Sequence, residues 1–304
     1  MLEERMDAVP WSAAQMLRDL ETAARQIEAP FCEATTRRIL DVFAPEFSSC
    51  VVQLKAACKT GSGLYYRFFY PGPSDLTARA LAANLLENPD SPNVKLQAEI
   101  LAKFPRATRA GLDFEAQFGL AKVWTFTGGP TPLREILKLE NLPPSVREAA
   151  PFFAEFGLKH VFFVASDYQG DTMNVYFGWE NGGRNIAWIR KMVEITGGAA
   201  PSEAICAEIL ATQAASGGVG FTFSWNKPGL QRWCLYSLEV PPDARVTLPA
   251  RLEKFREAPT LNACPQINLA WSFGGARSYM KMEKSYARDA TFFLTNQMGG
   301  DLSR

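Results

Sequence analysis

The sequence predicts an α+β fold, namely a ten-stranded antiparallel β-barrel surrounded by helices. Five predicted strand pairs start roughly 50–60 residues apart and each lies between helices, which indicates a repeated αββα unit. The strands alternate polar and apolar residues, as expected when helices cover one face of each strand. A closed barrel also leaves no strand edge exposed. No linker-like stretch divides the chain, so we expect residues 1–304 to form a single domain, with two independent domains as the alternative.

Helices are predicted where apolar residues recur at helical spacing and where capping residues or prolines mark the ends. Ser12 is suited to cap the first helix, and Pro45 is expected to end the second. The stretch 88–92, Asn-Pro-Asp-Ser-Pro, separates the third helix from the fourth. In chain order, the predicted helices span 11–28, 34–43, 74–86, 93–103, 131–139, 144–156, 183–196, 201–214, 248–257 and 288–298.

Strands are predicted in apolar or alternating runs on either side of turns rich in glycine, asparagine or aspartate. A glycine-rich turn at 60–63 joins the first pair, and an Asn-Lys-Pro-Gly turn at 226–229 joins the fourth. The predicted pairs are 49–57 with 64–70, 107–116 with 119–127, the two arms of 159–179, 218–226 with 231–240, and 266–274 with 278–287.

The hairpin at 159–179 shows the alternation most clearly. Its reversal is predicted at 167–171, Asp-Tyr-Gln-Gly-Asp. On the second strand, Thr172, Asn174 and Tyr176 share one face, and the residues between them are apolar. A strand with one polar and one apolar face suits a barrel that encloses a ligand and is covered outside by helices.

Composition excludes several classes of function. The formal net charge is +0 and the sequence pI is about 6.6, so neither a nucleic acid nor a membrane surface is an expected partner. The charged N-terminus lacks the apolar core of a signal peptide, and no run approaches about 18 apolar residues. The six cysteines form no CxxC pair, and His160 is the only histidine, which argues against zinc and a histidine-based triad. We expect a cytoplasmic monomer.

Each predicted strand pair places unusual polar or charged residues on one face. If helices cover the outside, these cations point into the lumen, where several buried charges require a polyanionic partner. A unit charge about 4 Å from an anionic oxygen contributes about 4 kcal/mol at an effective dielectric constant near 20. A diphosphate fits best, and the nearby aromatic rings suit an apolar or cationic group beside it. The residues concerned are Gln53, Lys55, Tyr65, Arg67, Phe69, Lys122, Trp124, Phe126, Asn174, Tyr176, Arg232, Cys234, Tyr236, Lys281, Glu283 and Ser285.

The stretch 142–177, LPPSVREAAPFFAEFGLKHVFFVASDYQGDTMNVYF, resembles the ABBA-fold aromatic prenyltransferases, the clorobiocin/naphterpin-type soluble enzymes. The family pattern here is a proline pair, a helix ending in Phe-Gly-Leu, and then Asp-Tyr and Asn-x-Tyr-Phe. The resemblance extends over nearly the whole chain. It implies five αββα units around a ten-stranded barrel. It also implies transfer of a dimethylallyl or geranyl group from its diphosphate to an aromatic carbon.

The resemblance also implies which residues bind each part of the donor. Trp124 and Tyr176 match aromatic positions beside the prenyl chain. Magnesium-dependent members carry an Asp in a Leu-Asp-x-Ser pattern, where this chain has Leu64-Tyr65-Tyr66-Arg67. Loss of that carboxylate suits a metal-independent enzyme, so no cofactor and no Mg²⁺ are expected. The positions that match diphosphate-binding residues are Lys122, Asn174, Arg232 and Lys281, joined by Lys55 and Arg67 as in metal-independent members.

Two departures from the family pattern affect this set. Gly220 stands where some relatives have a diphosphate-contacting tyrosine, and Gly170 stands where some have a lysine. The remaining cations would have to replace both contacts.

The acceptor pocket is predicted from residues expected on the lumen face. Glu283 is the candidate catalytic residue, which would orient or deprotonate the acceptor; a simple ion-pair partner for the lumen cations is the alternative role. The partners expected are dimethylallyl diphosphate and an aromatic small molecule, with a dihydrophenazine carboxylate favoured over 4-hydroxyphenylpyruvate or a dihydroxynaphthalene. A non-catalytic barrel that binds an anionic aromatic metabolite is the remaining alternative. The predicted pocket residues are Tyr65, Trp124, Phe126, Phe162, Val164, Thr172, Tyr176, Gly218, Cys234 and Ser285, with Gly217 also making room.

Overall fold

A computed structural model describes residues 10–70, 76–86, 88–107, 110–178, 185–212, 217–238, 240, 245–274, 278–290 and 293–294. Its strands form one closed barrel in which every neighbouring pair is antiparallel, in the order β1-β10-β9-β8-β7-β6-β5-β4-β3-β2. The predicted fold class is confirmed. The strands are β1 (Val51–Ala57), β2 (Tyr65–Tyr70), β3 (Ala110–Glu115), β4 (Gly119–Pro132), β5 (His160–Asp167), β6 (Thr172–Gly178), β7 (Gly217–Ser224), β8 (Leu230–Ser237), β9 (Ile267–Phe273) and β10 (Tyr279–Ala287).

Helices surround the barrel. Ser12, Ser91, Asn185 and Ser202 each cap a helix by accepting a hydrogen bond from a first-turn backbone N–H. The helices are α1 (Ala13–Gln26), α2 (Glu33–Val42), α3 (Ala44–Ser49), α4 (Leu76–Ala82), α5 (Pro92–Lys103), α6 (Leu133–Ile136), α7 (Pro144–Glu148), α8 (Ala150–Glu155), α9 (Ile186–Ile195), α10 (Glu203–Ala211) and α11 (Ala250–Arg256). Across the described ranges, no helix is both long and apolar enough to span a bilayer.

Two predicted helix boundaries differ from the structure. Pro45 does not end a helix, because it lies in the first turn of α3, where a missing backbone N–H is tolerated. β4 continues to Pro132 through an irregularity between Phe126 and Thr131, so only a single turn of helix follows it. The predicted closing helix at 288–298 falls mostly outside the described residues.

The outward faces of the strands form the main hydrophobic core with the helices. Phe47 of α3 packs its ring edge-on against Phe68 of β2 at 5.0 Å between centroids, and Phe153 of α8 packs against Phe177 and Phe221 at 5.1 and 5.3 Å. All of these rings are at most 2% exposed. This packing fixes which face of each strand points inward.

The two ends of the barrel differ. The ends at which each strand of a pair leads to the next lie together at one end of the barrel, because consecutive strands are antiparallel. At the other end, Val51, Phe69 and Phe126 form a small apolar cluster with Phe293, whose ring stacks on Phe69 at 5.9 Å. The space inside the barrel therefore lies between a polar hairpin end and an apolar end.

Candidate active site

The lumen contains two cavities at different heights. The upper cavity, near the hairpin turns, has a volume of about 690 Å³ including its open mouth, and the lower cavity has about 570 Å³. Charged side chains line much of the upper cavity, whereas aromatic rings and three glycines line most of the lower one. The upper cavity is defined by Lys55, Lys59, Tyr65, Asp113, Lys122, Asp167, Tyr279 and Lys281, and the lower cavity by Arg67, Phe69, Trp124, Phe162, Phe163, Tyr176, Gly217, Gly218, Tyr236 and Glu283.

Lys122 and Asn174, predicted diphosphate-binding residues, lie in direct contact. The Lys122 ammonium donates to the Asn174 Oδ1 at 3.0 Å and lies 3.2 Å from a carboxylate oxygen of Asp167. The Asn174 amide in turn donates to the Thr222 hydroxyl at 2.6 Å. Burial lowers the pKa of Lys122, but neighbouring Tyr176 and Asp167 outweigh this effect and the pKa is raised. Lys122 is therefore a fixed positive charge.

Asp113 of β3 is a site residue that the sequence reasoning missed. It is fully buried, 2.6 Å from the Lys55 ammonium and 2.5 Å from the Arg67 Nε. Burial raises the pKa of its carboxyl, but Arg67 and Lys55 together hold the pKa below its usual range. One signal could have indicated this residue. Asp113 is an acid on β3, and both neighbours of β3 carry cations on their lumen faces.

Carboxylates therefore neutralise part of the cation cluster. Asp113 pairs with Lys55, Asp167 pairs with Lys122, and Glu283 accepts a hydrogen bond from Arg67 at 3.0 Å. For Lys55, Lys122 and Arg67, the expectation that a buried cation requires a polyanionic ligand is wrong, because each already has an anionic partner within the fold.

Arg67 lies deeper than the other predicted diphosphate-binding cations. Its guanidinium bridges Asp113 and Glu283 and lies over the Trp124 ring at 5.2 Å from the ring centroid. It lines the lower cavity. Arg67 therefore connects the polar and the aromatic parts of the lumen.

Arg232 of β8 and Lys281 of β10 have no carboxylate within salt-bridge distance among the described side chains. Arg232 donates to the Ser272 hydroxyl at 2.9 Å, and the Lys281 ammonium lies 3.3 Å from the Cys234 sulfur. Burial raises the pKa of the Cys234 thiol, but Lys281 and the Ser272 hydroxyl outweigh it and the pKa is lowered. Both cations also lie near the ring of Tyr279, which the sequence reasoning had not named.

The lower cavity contains most of the predicted aromatic pocket. The rings of Trp124 and Tyr176 lie 4.6 Å apart, and Gly217 and Gly218 form part of the wall. A Cβ added at Gly220 would lie 2.7 Å from the Tyr176 ring, so a side chain there is incompatible with this ring position. The departure at Gly220 thus makes room for Tyr176.

A strand irregularity explains why the alternation of residues on β5 predicted the wrong lumen residues. Val164 points outward, since it pairs with Thr125 and Val175 and belongs to the core under the helices. Phe162 does line the lower cavity, because an irregularity between Val161 and Phe163 brings both phenylalanines to the lumen. A pattern of strict alternation would have placed only one of them there.

The remaining predicted pocket residues lie elsewhere in the lumen. Tyr65 lines the upper cavity with its ring 4.4 Å from the Lys55 ammonium, and Cys234 belongs to the cluster around Lys281. The Ser285 hydroxyl accepts the Ala290 backbone N–H and is fully buried. Phe126 belongs to the apolar cluster at the far end, and Thr172 begins β6 at the hairpin end, opposite Asp167. None of these five residues is part of the lower cavity wall as defined above.

No group of three His, Cys, Asp or Glu side chains is arranged to hold a metal ion within the described part of the chain. The carboxylates nearest the upper cavity are instead paired with cations.

A sequence model of a family described as "Aromatic prenyltransferase Orf2" matches residues 11–297. A Streptomyces niveus protein named 4-hydroxyphenylpyruvate 3-dimethylallyltransferase is 32% identical over 280 residues, which cover 91% of this chain and 85% of the relative. An aromatic prenyltransferase of Botryotinia fuckeliana is 31% identical over 289 residues, covering 92% of both chains.

Solved structures resemble the fold at low sequence identity. A 6-dimethylallyl tryptophan synthase superposes with a TM-score of 0.60 at 12% identity, covering 93% of this chain and 99% of the other. The 6-dimethylallyltryptophan synthase of Micromonospora olivasterospora, in complex with DMASPP and Trp, gives a TM-score of 0.55 at 13% identity, with 92% and 99% covered.

The relatives named above are all prenyl-transferring enzymes, which argues against the alternative of a non-catalytic binding barrel. The family match extends over nearly all of the sequence, and the most similar relatives described exceed 30% identity. This protein therefore belongs to the Orf2 family of aromatic prenyltransferases.

Proposed function

We propose that this enzyme transfers a dimethylallyl group from dimethylallyl diphosphate to a ring carbon of an aromatic acceptor without requiring Mg²⁺. The observation that carries the proposal is the arrangement of the two cavities: a cation-lined cavity lies directly above an aromatic one, and Arg67 connects them. A diphosphate in the upper cavity would place its prenyl chain against the rings of the lower cavity.

The charge balance of the upper cavity supports metal independence. Its four lysines and the adjacent Arg232 carry five positive charges, against two negative charges on Asp113 and Asp167. The Arg67–Glu283 pair below adds no net charge. A surplus of three positive charges matches the up to about three negative charges of a diphosphate ester near neutral pH. The protein itself supplies the neutralisation that a metal ion would otherwise provide.

The reaction follows from these positions. The bond between the allylic carbon and oxygen breaks, and its electron pair leaves with the diphosphate, which Lys122, Arg232 and Lys281 stabilise. The resulting allylic cation lies against Trp124 and Tyr176, whose ring faces attract it and exclude water. A ring carbon of the acceptor attacks this cation. The proton on that carbon then leaves and restores the aromatic ring.

Glu283 is the proposed acceptor of that proton. It lines the lower cavity, is 5% exposed, and is held by the Arg67 guanidinium. We expect Glu283→Gln to lower kcat about 10²-fold while the KM for dimethylallyl diphosphate stays within twofold, because the glutamine cannot take up the proton. Steady-state kinetics with saturating acceptor measure this effect. Normal turnover would instead assign Glu283 to the ion pair alone.

For the acceptor, we propose a planar compound of two or three fused rings that carries a carboxylate, with a dihydrophenazine carboxylate first. The volume of the lower cavity and its glycine edge at Gly217 and Gly218 favour fused rings. A single-ring acceptor, 4-hydroxyphenylpyruvate, is the second candidate, because the S. niveus relative carries that activity in its name. A dihydroxynaphthalene is the third.

Incubation with dimethylallyl diphosphate and each of the three acceptors, read by mass spectrometry, tests the proposal. The expected product is heavier than the acceptor by one prenyl group in place of one hydrogen. Parallel reactions with EDTA and with added Mg²⁺ should proceed at equal rates. Loss of activity in EDTA that Mg²⁺ restores would overturn metal independence but leave the prenyl transfer intact.

The protonation of Lys55 gives a pH test of diphosphate binding. Burial lowers its pKa to about 8, and the Asp113 carboxylate only partly offsets this effect. Lys55 therefore loses its charge as the pH rises through about 8, and we expect the affinity for pyrophosphate to fall by up to about tenfold between pH 7 and pH 9. Isothermal titration calorimetry measures it. Lys55→Arg stays charged and shows only the titration of the ligand, so equal pH profiles of the two proteins would contradict this role.

A further inference from the structure

Lys59 is a cation of the upper cavity that does not lie on a strand. It belongs to the turn between β1 and β2 and is exposed, and its ammonium lies 3.7 Å from the centroid of the Tyr279 ring. Tyr279 is the first residue of β10 and lines the same cavity.

The Tyr279 ring gathers cations from three segments of the chain. Arg232 of β8 lies 4.6 Å from the ring centroid, and Lys281 of β10 lies 5.4 Å from it. Together with Lys59, three positive charges therefore lie close to the Tyr279 ring. Such contacts stabilise a cation only modestly at an exposed site.

None of these three cations has a carboxylate within salt-bridge distance among the described residues. Lys55 of β1 and Lys122 of β4, by contrast, are each paired with an aspartate. The positive charge of the upper cavity is thus concentrated around Tyr279. An oxyanion with several oxygens is the ligand that satisfies three converging unpaired cations at once.

We infer that Lys59 is a further diphosphate ligand, which binds the terminal phosphate from the mouth of the cavity, and that Tyr279 is the positioning residue that holds Lys59 and Arg232 for this contact. The inference rests on the proposed function, because the diphosphate is the substrate proposed above. Lys59 lies in the β1–β2 turn, beyond the end of the strand that carries Lys55, and sits at the entrance of the cavity. Lys59 helps to capture and retain the donor. Cleavage of the bond between carbon and oxygen depends on the deeper cations Lys122, Arg232 and Lys281.

The test measures binding of inorganic pyrophosphate by isothermal titration calorimetry at fixed ionic strength, together with prenyl-transfer kinetics. Lys59→Gln should raise the Kd of pyrophosphate and the KM of dimethylallyl diphosphate by about five- to tenfold and leave kcat within twofold. Lys227→Gln is the matched control. Lys227 is an exposed lysine in the β7–β8 turn at the same barrel end, outside the upper cavity.

The role of Tyr279 is tested by two substitutions. Tyr279→Phe keeps the ring and should bind pyrophosphate within about twofold of the wild type, whereas Tyr279→Leu should weaken binding as much as Lys59→Gln does. In the double variant, Lys59→Gln should add little to the effect of Tyr279→Leu, because the lysine has already lost its support. Additive effects would overturn the positioning role.

The two proposals can fail separately. If Lys59→Gln binds pyrophosphate as Lys227→Gln does, the inference about Lys59 is overturned, whatever the prenyl-transfer activity. If wild-type protein binds no pyrophosphate, the inference is also overturned. If pyrophosphate binds with the expected dependence on Lys59 but no acceptor is prenylated, the anion site stands and the proposed reaction fails.

Discussion

Lys281→Met is expected to lower kcat/KM for dimethylallyl diphosphate by about 10²–10³-fold, the range found when a charge-stabilising donor is removed from an active site. Burial lowers the pKa of Lys281, but Cys234 and Tyr279 outweigh this effect and the pKa is raised, so the ammonium stays charged. No carboxylate of the described residues lies within salt-bridge distance of it. Its charge is therefore available to the leaving diphosphate as the carbon–oxygen bond breaks. Steady-state kinetics with a fixed acceptor measure the loss.

Lys122→Met provides the matched comparison. Lys122 lines the same cavity but is paired with Asp167, so part of its charge is already compensated. We expect a smaller loss of kcat/KM for Lys122→Met than for Lys281→Met, and partial recovery in Lys281→Arg. Equal losses in both methionine variants would show that pairing within the protein does not govern how much each cation contributes.

Arg67→Met is expected to lower the free energy of unfolding by about 3–5 kcal/mol, because it leaves Asp113 and Glu283 buried without their shared cation. Both carboxylates are at most 5% exposed, so water cannot replace the guanidinium. Urea unfolding at neutral pH, followed by tryptophan fluorescence, measures the change. A loss below about 1 kcal/mol would contradict the view that this arginine neutralises the centre of the lumen.

The pH dependence of that loss has a defined sign. Arg67 contributes to the lowered pKa of Asp113 in the folded protein. The stabilisation is therefore present above the pKa of the unfolded chain and lost as the pH falls through the folded value. The difference between wild type and Arg67→Met should shrink in acid. In Arg67→Met/Glu283→Met, the loss should be smaller than the sum of the two single losses, because fewer buried charges remain unpaired.

The alternation of residue types was sufficient to predict the barrel and most of its cation-bearing faces. Lys122, Asn174, Arg232 and Lys281 all lie on lumen faces, because burial of the apolar residues between them fixes the orientation of each strand. Asp113 was missed for a different reason. Its role depends on which strands are neighbours and in which register, and neither is determined by the local pattern.

The pocket residues on β5 show a second limit of the sequence pattern. Period-two alternation holds only while the ladder is regular, and the irregularity at Val161–Phe163 changes which residues face the lumen. Phe163 was missed and Val164 was placed in the lumen for this reason. Ser285 lies on a lumen face as expected, but its hydroxyl is occupied by the Ala290 backbone N–H, a contact that no spacing rule indicates.

The pairing of β1 with β10 has a consequence for biosynthesis. Lys55 lies opposite Glu283 across this pairing, so the barrel is closed by two strands whose facing residues are more than two hundred positions apart in the chain. A nascent chain that has not yet released β10 from the ribosome holds β1 and β9 as open edges, which are templates for aggregation. Folding to the closed barrel must wait for the end of translation, and such non-local closure is slow. Chaperone dependence and low recovery of C-terminally truncated chains are the expected cellular signs of this architecture.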